Sequence, residues 1–417
     1  MRRPPHAVRR ISVGALAALV TVVVAGCSGA SLGGKTGDSA GQELPIGLIL
    51  PKSGPFKSIG DDMLRGWQLY LATHGEKLGG RTVKVVDADE GNGGEPARAA
   101  ATKLLQQDRV VALVGGGTAE TVQTLNPLLL QAKVPMVGIG GRPSTVDDPA
   151  YLWHTSWMSQ ETGAAVADYV RTTVNGPVYV LGPKYVGGAD QIGGFVKQFV
   201  AGGGTLANEG GQPTWTAWAP QPETNFEPVL TKIRQSGAKA VYAFYAGTSA
   251  VDFVKQYKQF GVDLPLYGAG FLTEGAVLAA QGPAAEGIYT CMNYAASLDN
   301  PANREFVRAY KDRYAGAAPT VYAVTAWDAA LVLDRAITAA LSKDKPAAAG
   351  GNEAGGLTSA ALNQAISQVG EILSPRGGWR FGPRNHTPVQ RWYLRQVRSD
   401  GQNLTNIVVQ DLIILGS

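Results

Sequence analysis

The run Val110-Val111-Ala112-Leu113-Val114-Gly115-Gly116-Gly117-Thr118 decides the fold. Apolar residues in an unbroken run, without alternation, suit a parallel strand buried on both faces. The glycines that follow let the backbone turn tightly and approach a ligand closely. Thr118 has the chemistry of a helix N-cap, and the pattern to about residue 132 reads as a helix. The unit is strand, glycine turn, helix.

The same unit recurs on either side. Pro45-Ile46-Gly47-Leu48-Ile49-Leu50 is a strand closed by the turn Ser53-Gly54-Pro55, with a helix over 63–74. Strands at 83–86 and 134–139 bracket an Ala-rich helix at 96–107. A second series starts near Thr162. Its helices at 164–171, 192–201 and 251–260 alternate with strands at 178–181, 240–245 and 264–268. The chain reads as crossing back near 289–294, with helices over 303–314, 326–340 and 359–373. A Gly/Ala-rich loop covers 347–356, and strands at 392–397 and 407–415 flank a turn at 401–403. Alternating strands and helices predict an α/β protein with parallel-rich sheets, and two such series predict two lobes.

The N-terminal segment reads as an export signal. Arg2, Arg3, Arg9 and Arg10 precede an apolar stretch over 11–26 that is short for a bilayer span, which takes about 20 residues. It ends in Val24-Ala25-Gly26-Cys27, followed by a Gly/Ser-rich spacer. This arrangement resembles a bacterial lipoprotein signal, with Cys27 as the lipidated residue; an uncleaved membrane anchor is the alternative. The boundaries expected are a signal peptide over 1–26 and a lipidated Cys with its tether over 27–43. The formal charge of +4 leaves with those arginines, so a near-neutral body gives no electrostatic reason to bind nucleic acid. Cys291 is then a lone thiol without a disulfide partner, structural or reactive.

Ligands of open α/β sheets bind beyond the carboxyl ends of the strands. That rule selects Ser53; Gly117, Thr118 and Ala119; Gly140 and Arg142; Tyr185; and Gly247. The 115–118 loop either offers N–H groups to an anion or simply turns the chain onto a helix capped by Thr118. Arg142 either grips a carboxylate bidentately or pairs with Asp147 or Asp148 at the lip. Trp153, Trp157, Tyr185, Trp215, Trp218, Tyr245 and Phe271 either wall a cleft or pack in a core. Trp157 and Tyr185 are the leading wall candidates. His154 either orients a polar group or is structural. The sequence has no H-E-x-x-H, C-x-x-C or G-x-S-x-G motif, so neither metal catalysis nor a nucleophile elbow is indicated. No catalytic residue, metal or cofactor is expected.

Several scattered elements together resemble the type I solute-binding proteins of ABC importers, in the branched-chain amino acid (leucine/isoleucine/valine) group. They are Ser53-Gly54-Pro55, the acids at Asp87 and Asp89, Val134-Pro135-Met136-Val137-Gly138, Tyr185, Ala285-Glu286-Gly287, and the run from Tyr322 to Trp327-Asp328-Ala329. The likeness spans about 44–417. It implies two α/β lobes joined by three crossings, with a solute closed between them and handed to a permease and its ATPase subunits. It implies an extracytoplasmic, non-enzymatic, monomeric protein tied to the cell membrane through its lipid. The first lobe is expected to hold 44–160 plus 292–345, the second 161–291 plus 346–417, with a short exchange of segments near the C-terminus. The family's amino acid pocket carries over unevenly. Its carboxylate-binding Ser falls at Ala119, its Thr at Arg142 and its ammonium-binding acid near Gly270, with Glu274 close by; its cleft Tyr is kept as Tyr185. The departures favour an aromatic or carboxylated solute over a simple branched-chain amino acid. Two rival readings are a ligand-sensing lipoprotein of the same fold and an exported enzyme using the same cleft.

Overall fold

The computed structural model describes residues 43–218, 221–342, 348–401 and 403–416. The expected signal, Cys27 and the tether up to residue 42 lie outside the described residues.

Strands β1 (Leu44–Leu50), β2 (Lys77–Leu78), β3 (Arg81–Asp89), β4 (Ala112–Gly115), β5 (Met136–Gly138) and β6 (Leu152–His154) form the first sheet. Its order is β2-β3-β1-β4-β5-β6, parallel apart from the short β2–β3 pairing. The apolar run expected as a strand over 110–114 leads into β4, which is buried throughout. Helices α1 (Lys57–Thr73), α2 (Gly94–Thr102) and α3 (Ala119–Ala132) connect these strands. The first helix begins before the expected 63 because the Gly54–Phe56 turn runs straight into it.

The second sheet begins with β7 (Val178–Pro183), β8 (Thr214–Thr216), β9 (Ala240–Ala243), β10 (Leu266–Ala269) and β11 (Tyr289–Met292), mutually parallel. Helices α4 (Glu161–Val174), α5 (Val186–Ala201), α6 (Glu227–Gln235), α7 (Gly247–Gln259) and α8 (Ala276–Gln281) accompany them. The chain then returns to the first lobe through α9 (Pro301–Arg313) and α10 (Val321–Ala340), whose apolar side lies along α1. A two-stranded hairpin, β12 (Glu353–Ala354) and β13 (Leu357–Thr358), leads to α11 (Ser359–Ile366). Strands β14 (Ile372–Ser374), β15 (Gly377–Phe381), β16 (Pro388–Ser399) and β17 (Leu404–Leu415) complete the second sheet in the order β14-β15-β16-β11-β10-β9-β7-β8, with β17 paired to β16. The two expected C-terminal strands are this last, antiparallel pair.

The chain passes between the sheets three times, near 155–160, 293–300 and 367–371. The sequence places 346–417 with the second lobe, with a short exchange of segments near the C-terminus; residues 352–366 pack on the first lobe. Asn352 donates to Leu105 O and Val110 O at 2.9 and 2.8 Å, and Ser359 Oγ donates to Val111 O at 2.9 Å. Leu362 and Ile366 bury the face of α11 that meets α10. The helix expected over 359–373 stops at Ile366, and 372–374 are extended instead.

In both sheets the strand order reverses about a first strand. β1 sits between β3 and β4, and β7 sits between β8 and β9. Successive loops diverge at such a point and open a crevice between them. The loops after β1 and β4 in one lobe, and after β7 and β9 in the other, therefore flank these points.

Candidate functional site

In the first lobe the loop after β4 turns through Gly115 (φ 144°) and Gly116 (φ 69°). A Cβ on Gly115 would lie 1.8 Å from Ile49 O, so only glycine fits there. Thr118 caps α3, its Oγ1 accepting the Thr121 N–H at 3.2 Å. Its hydroxyl is thus committed to the helix. Ala119 opens α3, where the first-turn N–H groups have no acceptor within the helix. The Gly117 N–H is also committed: it donates to Glu90 Oε2 at 3.1 Å. Glu90 was not singled out from the sequence. It is fully buried, and burial, opposed by the Gly117 N–H, pushes its carboxyl up to about 8.

Arg142 follows neither sequence reading in detail. Its guanidinium points inward, donating from Nη2 to Val146 O at 2.8 Å and from Nη1 to Met158 Sδ at 2.9 Å. It is 2% exposed, and Nε makes no hydrogen bond. Burial lowers its pKa, against the attraction of Asp147 and Glu161. Gly140 bonds back to Gly116 O at 3.1 Å and accepts the Ser156 hydroxyl, tying the loops after β4 and β5 together. Ser53 is exposed, with its hydroxyl turned to Asp89.

The aromatic candidates separate into two groups. Tyr185 stacks on Trp218 (ring centroids 4.4 Å) and approaches Phe244 at 6.3 Å. Phe244 meets Phe271 edge-on at 5.6 Å; Phe271 in turn meets Trp157 at 5.5 Å and Tyr322 at 6.1 Å. Trp218 also stacks on Phe56, at 5.3 Å. These rings form one connected series that runs from Phe56 and Tyr322 on the first lobe to Tyr185, Trp218, Phe244 and Phe271 on the second, with Trp157 at a crossing. The Trp157 indole N–H is buried and makes no hydrogen bond among the described residues. Burial, with the Glu120 charge behind it, raises the Tyr185 phenol above its ordinary range. Phe56, Phe244 and Tyr322, which belong to this ring series, were not singled out; their signal was position, at the end of the Gly54–Phe56 turn after β1, directly after β9 and at the start of α10.

The other candidates pack elsewhere. Trp153 stacks on His386 at 3.8 Å and donates to Asn363 Oδ1 at 2.7 Å. Tyr245 sits in the core of the second lobe against Phe226 and Phe253. Trp215 is 39% exposed on β8. His154 is fully buried, and burial holds its imidazole neutral, with no hydrogen bond to either ring nitrogen.

Direct contacts join the lobes around these rings. Gly247 (φ 58°) lies so close to the first lobe that a Cβ would stand 2.3 Å from Pro55 O. Ser144, after β5, donates its N–H and hydroxyl to Asp190 on α5 at 2.8 and 2.6 Å. Glu274 accepts the Val321 N–H at the start of α10 at 2.8 Å, and its other oxygen lies 2.9 Å from Arg395 Nη2. The acid nearest the family's ammonium position is therefore occupied by a guanidinium and a helix terminus.

The crossings meet at Arg376. Its Nε donates to Asp328 Oδ2 at 2.7 Å, and its other nitrogens reach Thr155 O and Gln390 Oε1. Gln390 donates to Ser156 O and accepts from Asn293, both at 2.7 Å. One buried guanidinium, lying 4.8 Å over the Trp379 ring, thus gathers residues of the first and second crossings beside its own, just past the third.

Comparisons with known proteins agree with this architecture. A Leu/Ile/Val-binding protein homolog 6 from Brucella melitensis is 30% identical over 360 residues, covering 84% of this chain and 87% of the relative. A solute-binding protein of an ABC transporter from R. palustris, crystallised with benzoate, superposes with a TM-score of 0.78 at 29% identity, covering 90% of this chain and 98% of that one. Another, from Rhodopseudomonas palustris BisB5 with 3,4-dihydroxybenzoic acid, superposes with a TM-score of 0.78 at 25% identity, covering 89% and 98%. Residues 43–402 match the periplasmic binding protein family. With its two sheets, three crossings and a series of rings between its lobes, the chain belongs to that family and is the extracytoplasmic solute-binding component of an ABC importer.

Proposed function

We propose that the captured solute is a small aromatic carboxylate of the benzoate type. The observation that carries this reading is the connected series of rings from Phe56 through Trp218, Tyr185, Phe244 and Phe271 to Trp157 and Tyr322. A flat apolar ligand gains most from such walls, by offset or edge contacts. The first-turn N–H groups of α3 at Ala119 and the Trp157 indole N–H are donors for its carboxylate. Arg142 was the expected anchor, but its bonds to Val146 and Met158 favour a role in shaping the loop after β5. Neighbours at 25–29% identity bound to benzoate, 4-hydroxybenzoate and 3,4-dihydroxybenzoate support the same class.

Branched-chain amino acids are the rival, favoured by the name of the Brucella relative. Against them stands Glu274, which already meets Arg395 and the Val321 N–H, so an ammonium there lacks a free acid. An unpaired buried ammonium is costly. Calorimetry of the delipidated protein against benzoate, its hydroxylated forms, leucine and isoleucine decides between the two. Benzoate binding supports the proposal, and tight leucine or isoleucine binding without a benzoate response defeats it.

Delivery follows the family: a monomer hands its solute to an ABC permease with its ATPase subunits. The Cys27 signal supports a lipid tether to the membrane. Replacing Cys27 by Ala should release the protein from the membrane fraction; retention there would argue for an uncleaved anchor.

A further inference from the structure

Glu90 follows the last residue of β3 and exposes no surface. Its backbone N–H bonds Leu50 O at 3.0 Å, and its side chain reaches over the end of β1 to the loop after β4. Oε2 accepts the Gly117 N–H at 3.1 Å. The Thr118 N–H and the Thr121 hydroxyl also lean toward the carboxyl, while Oε1 makes no well-formed hydrogen bond. A Cβ on Gly117 would stand 2.8 Å from Pro51 Cδ and 3.3 Å from Oε1. The carboxyl is therefore sealed directly beneath the loop at the crevice of the first lobe.

Among the described residues no cation pairs with it. Asp89 in its own segment raises it further, α3 carries the acid Glu120 in its first turn, and Lys52 turns its amine to Asp87 at 3.0 Å. A buried carboxylate without a cation is disfavoured by several kcal/mol, and the α3 N-terminus with the Gly117 N–H offsets only part of that.

We propose that Glu90 is a positioning and selectivity residue: as an uncharged acid it lets the N-terminus of α3 at Ala119, which follows the 115–118 loop that Glu90 braces, receive a solute carboxylate, and as a carboxylate it repels one. This rests on the carboxylate-solute reading above. A solute carboxylate at the α3 N-terminus makes ionisation of Glu90 costlier still, so capture is coupled to keeping the proton. A neutral analogue such as benzamide has no such coupling. The acid's displacement to about 8 puts the change within reach of ordinary buffers.

The test has two arms. In the first, the solute-free protein, labelled with 13C at its Glu side chains, is titrated by NMR. Two carboxyls should titrate near 8, because Glu161 is raised to about 8 by the same burial. One such signal should remain in Glu161→Gln and the other in Glu90→Gln; a wild-type protein whose glutamates all titrate below 6 overturns the proposal even if neither variant folds. In the second, benzoate is titrated calorimetrically at pH 6.5 and pH 9. A further rise of one unit on binding predicts about fivefold weaker affinity at pH 9, while Glu90→Gln should hold its own two affinities within twofold. A flat wild-type profile, or a Glu90→Gln profile with the wild-type slope, overturns the selectivity role. Absence of benzoate binding at every pH sinks the solute reading and the selectivity role with it, while the NMR arm judges the protonation of Glu90 separately.

Discussion

Trp218 lies against Phe56 with ring centroids 5.3 Å apart and planes 26° from parallel, although the two residues belong to different lobes. The same indole covers Tyr185 on its own lobe. It thus links the two lobes through stacked rings. Trp218→Ala should weaken solute affinity by tenfold or more, in line with about 1–3 kcal/mol for a lost buried aromatic contact and its stacking. It should also remove most of the solute-induced change in tryptophan fluorescence. Unchanged affinity in a calorimetric titration would place the solute away from these rings.

Gly247 sits where a Cβ would stand 2.3 Å from Pro55 O of the first lobe, and its φ of 58° adds strain for any other residue. Gly247→Val should leave the second lobe folded but hold it away from Pro55. Small-angle scattering should then show no contraction on adding solute, with affinity reduced at least tenfold. Normal contraction would mean that closure tolerates a gap here.

The Arg376–Asp328 pair at the crossings is buried on both sides, with 1% and 0% of the side chains exposed. Removing one partner leaves an uncompensated buried charge, which costs about 3–5 kcal/mol. Asp328→Leu and Arg376→Met should each lower the urea midpoint strongly, and the double variant should regain much of the loss. Equal loss in the double variant would show that Thr155, Gln390 and Trp379 need the guanidinium more than Asp328 does.

Asp62 on α1 is packed against Gly275 and Thr320, and burial pushes its carboxyl up to about 6, with Arg65 pulling the other way. The folded protein holds this proton more tightly than the unfolded chain, where the group titrates near 3.8. Its stabilising contribution is complete below that value and fades as pH rises through 6. Between pH 4 and 7.5 the wild type should lose on the order of 2 kcal/mol that Asp62→Asn does not lose. Parallel urea curves for the two proteins across that range would contradict the assignment.

The strands and turns were legible because each carries its own local signal. Residues 110–118 announce a buried strand, a glycine turn and a capped helix, and these are β4, the Gly115–Gly116 turn and α3. Side-chain direction carries no such signal. Arg142 sits in the expected loop yet points inward, and Trp153 follows the same alternation as Trp157 yet faces α11. The Arg376 cluster was invisible for a different reason. Thr155, Asn293, Asp328 and Gln390 are far apart in the chain, and only the crossings bring them together. Glu90 was not singled out, because nothing local shows that β1 and the 115–118 loop close over it.

The place of β16 has a consequence for how the protein matures. This strand lies between β11 and β15, although it belongs to the final stretch of the polypeptide. Until residues 388–399 arrive, the edge of β11 has no neighbour to pair with. A chain secreted N-terminus first can assemble its first sheet early but must wait for its own tail to finish the second. A polypeptide without residues 388–399 would leave β11 as an open sheet edge, exposed to whatever chaperone or protease is nearby.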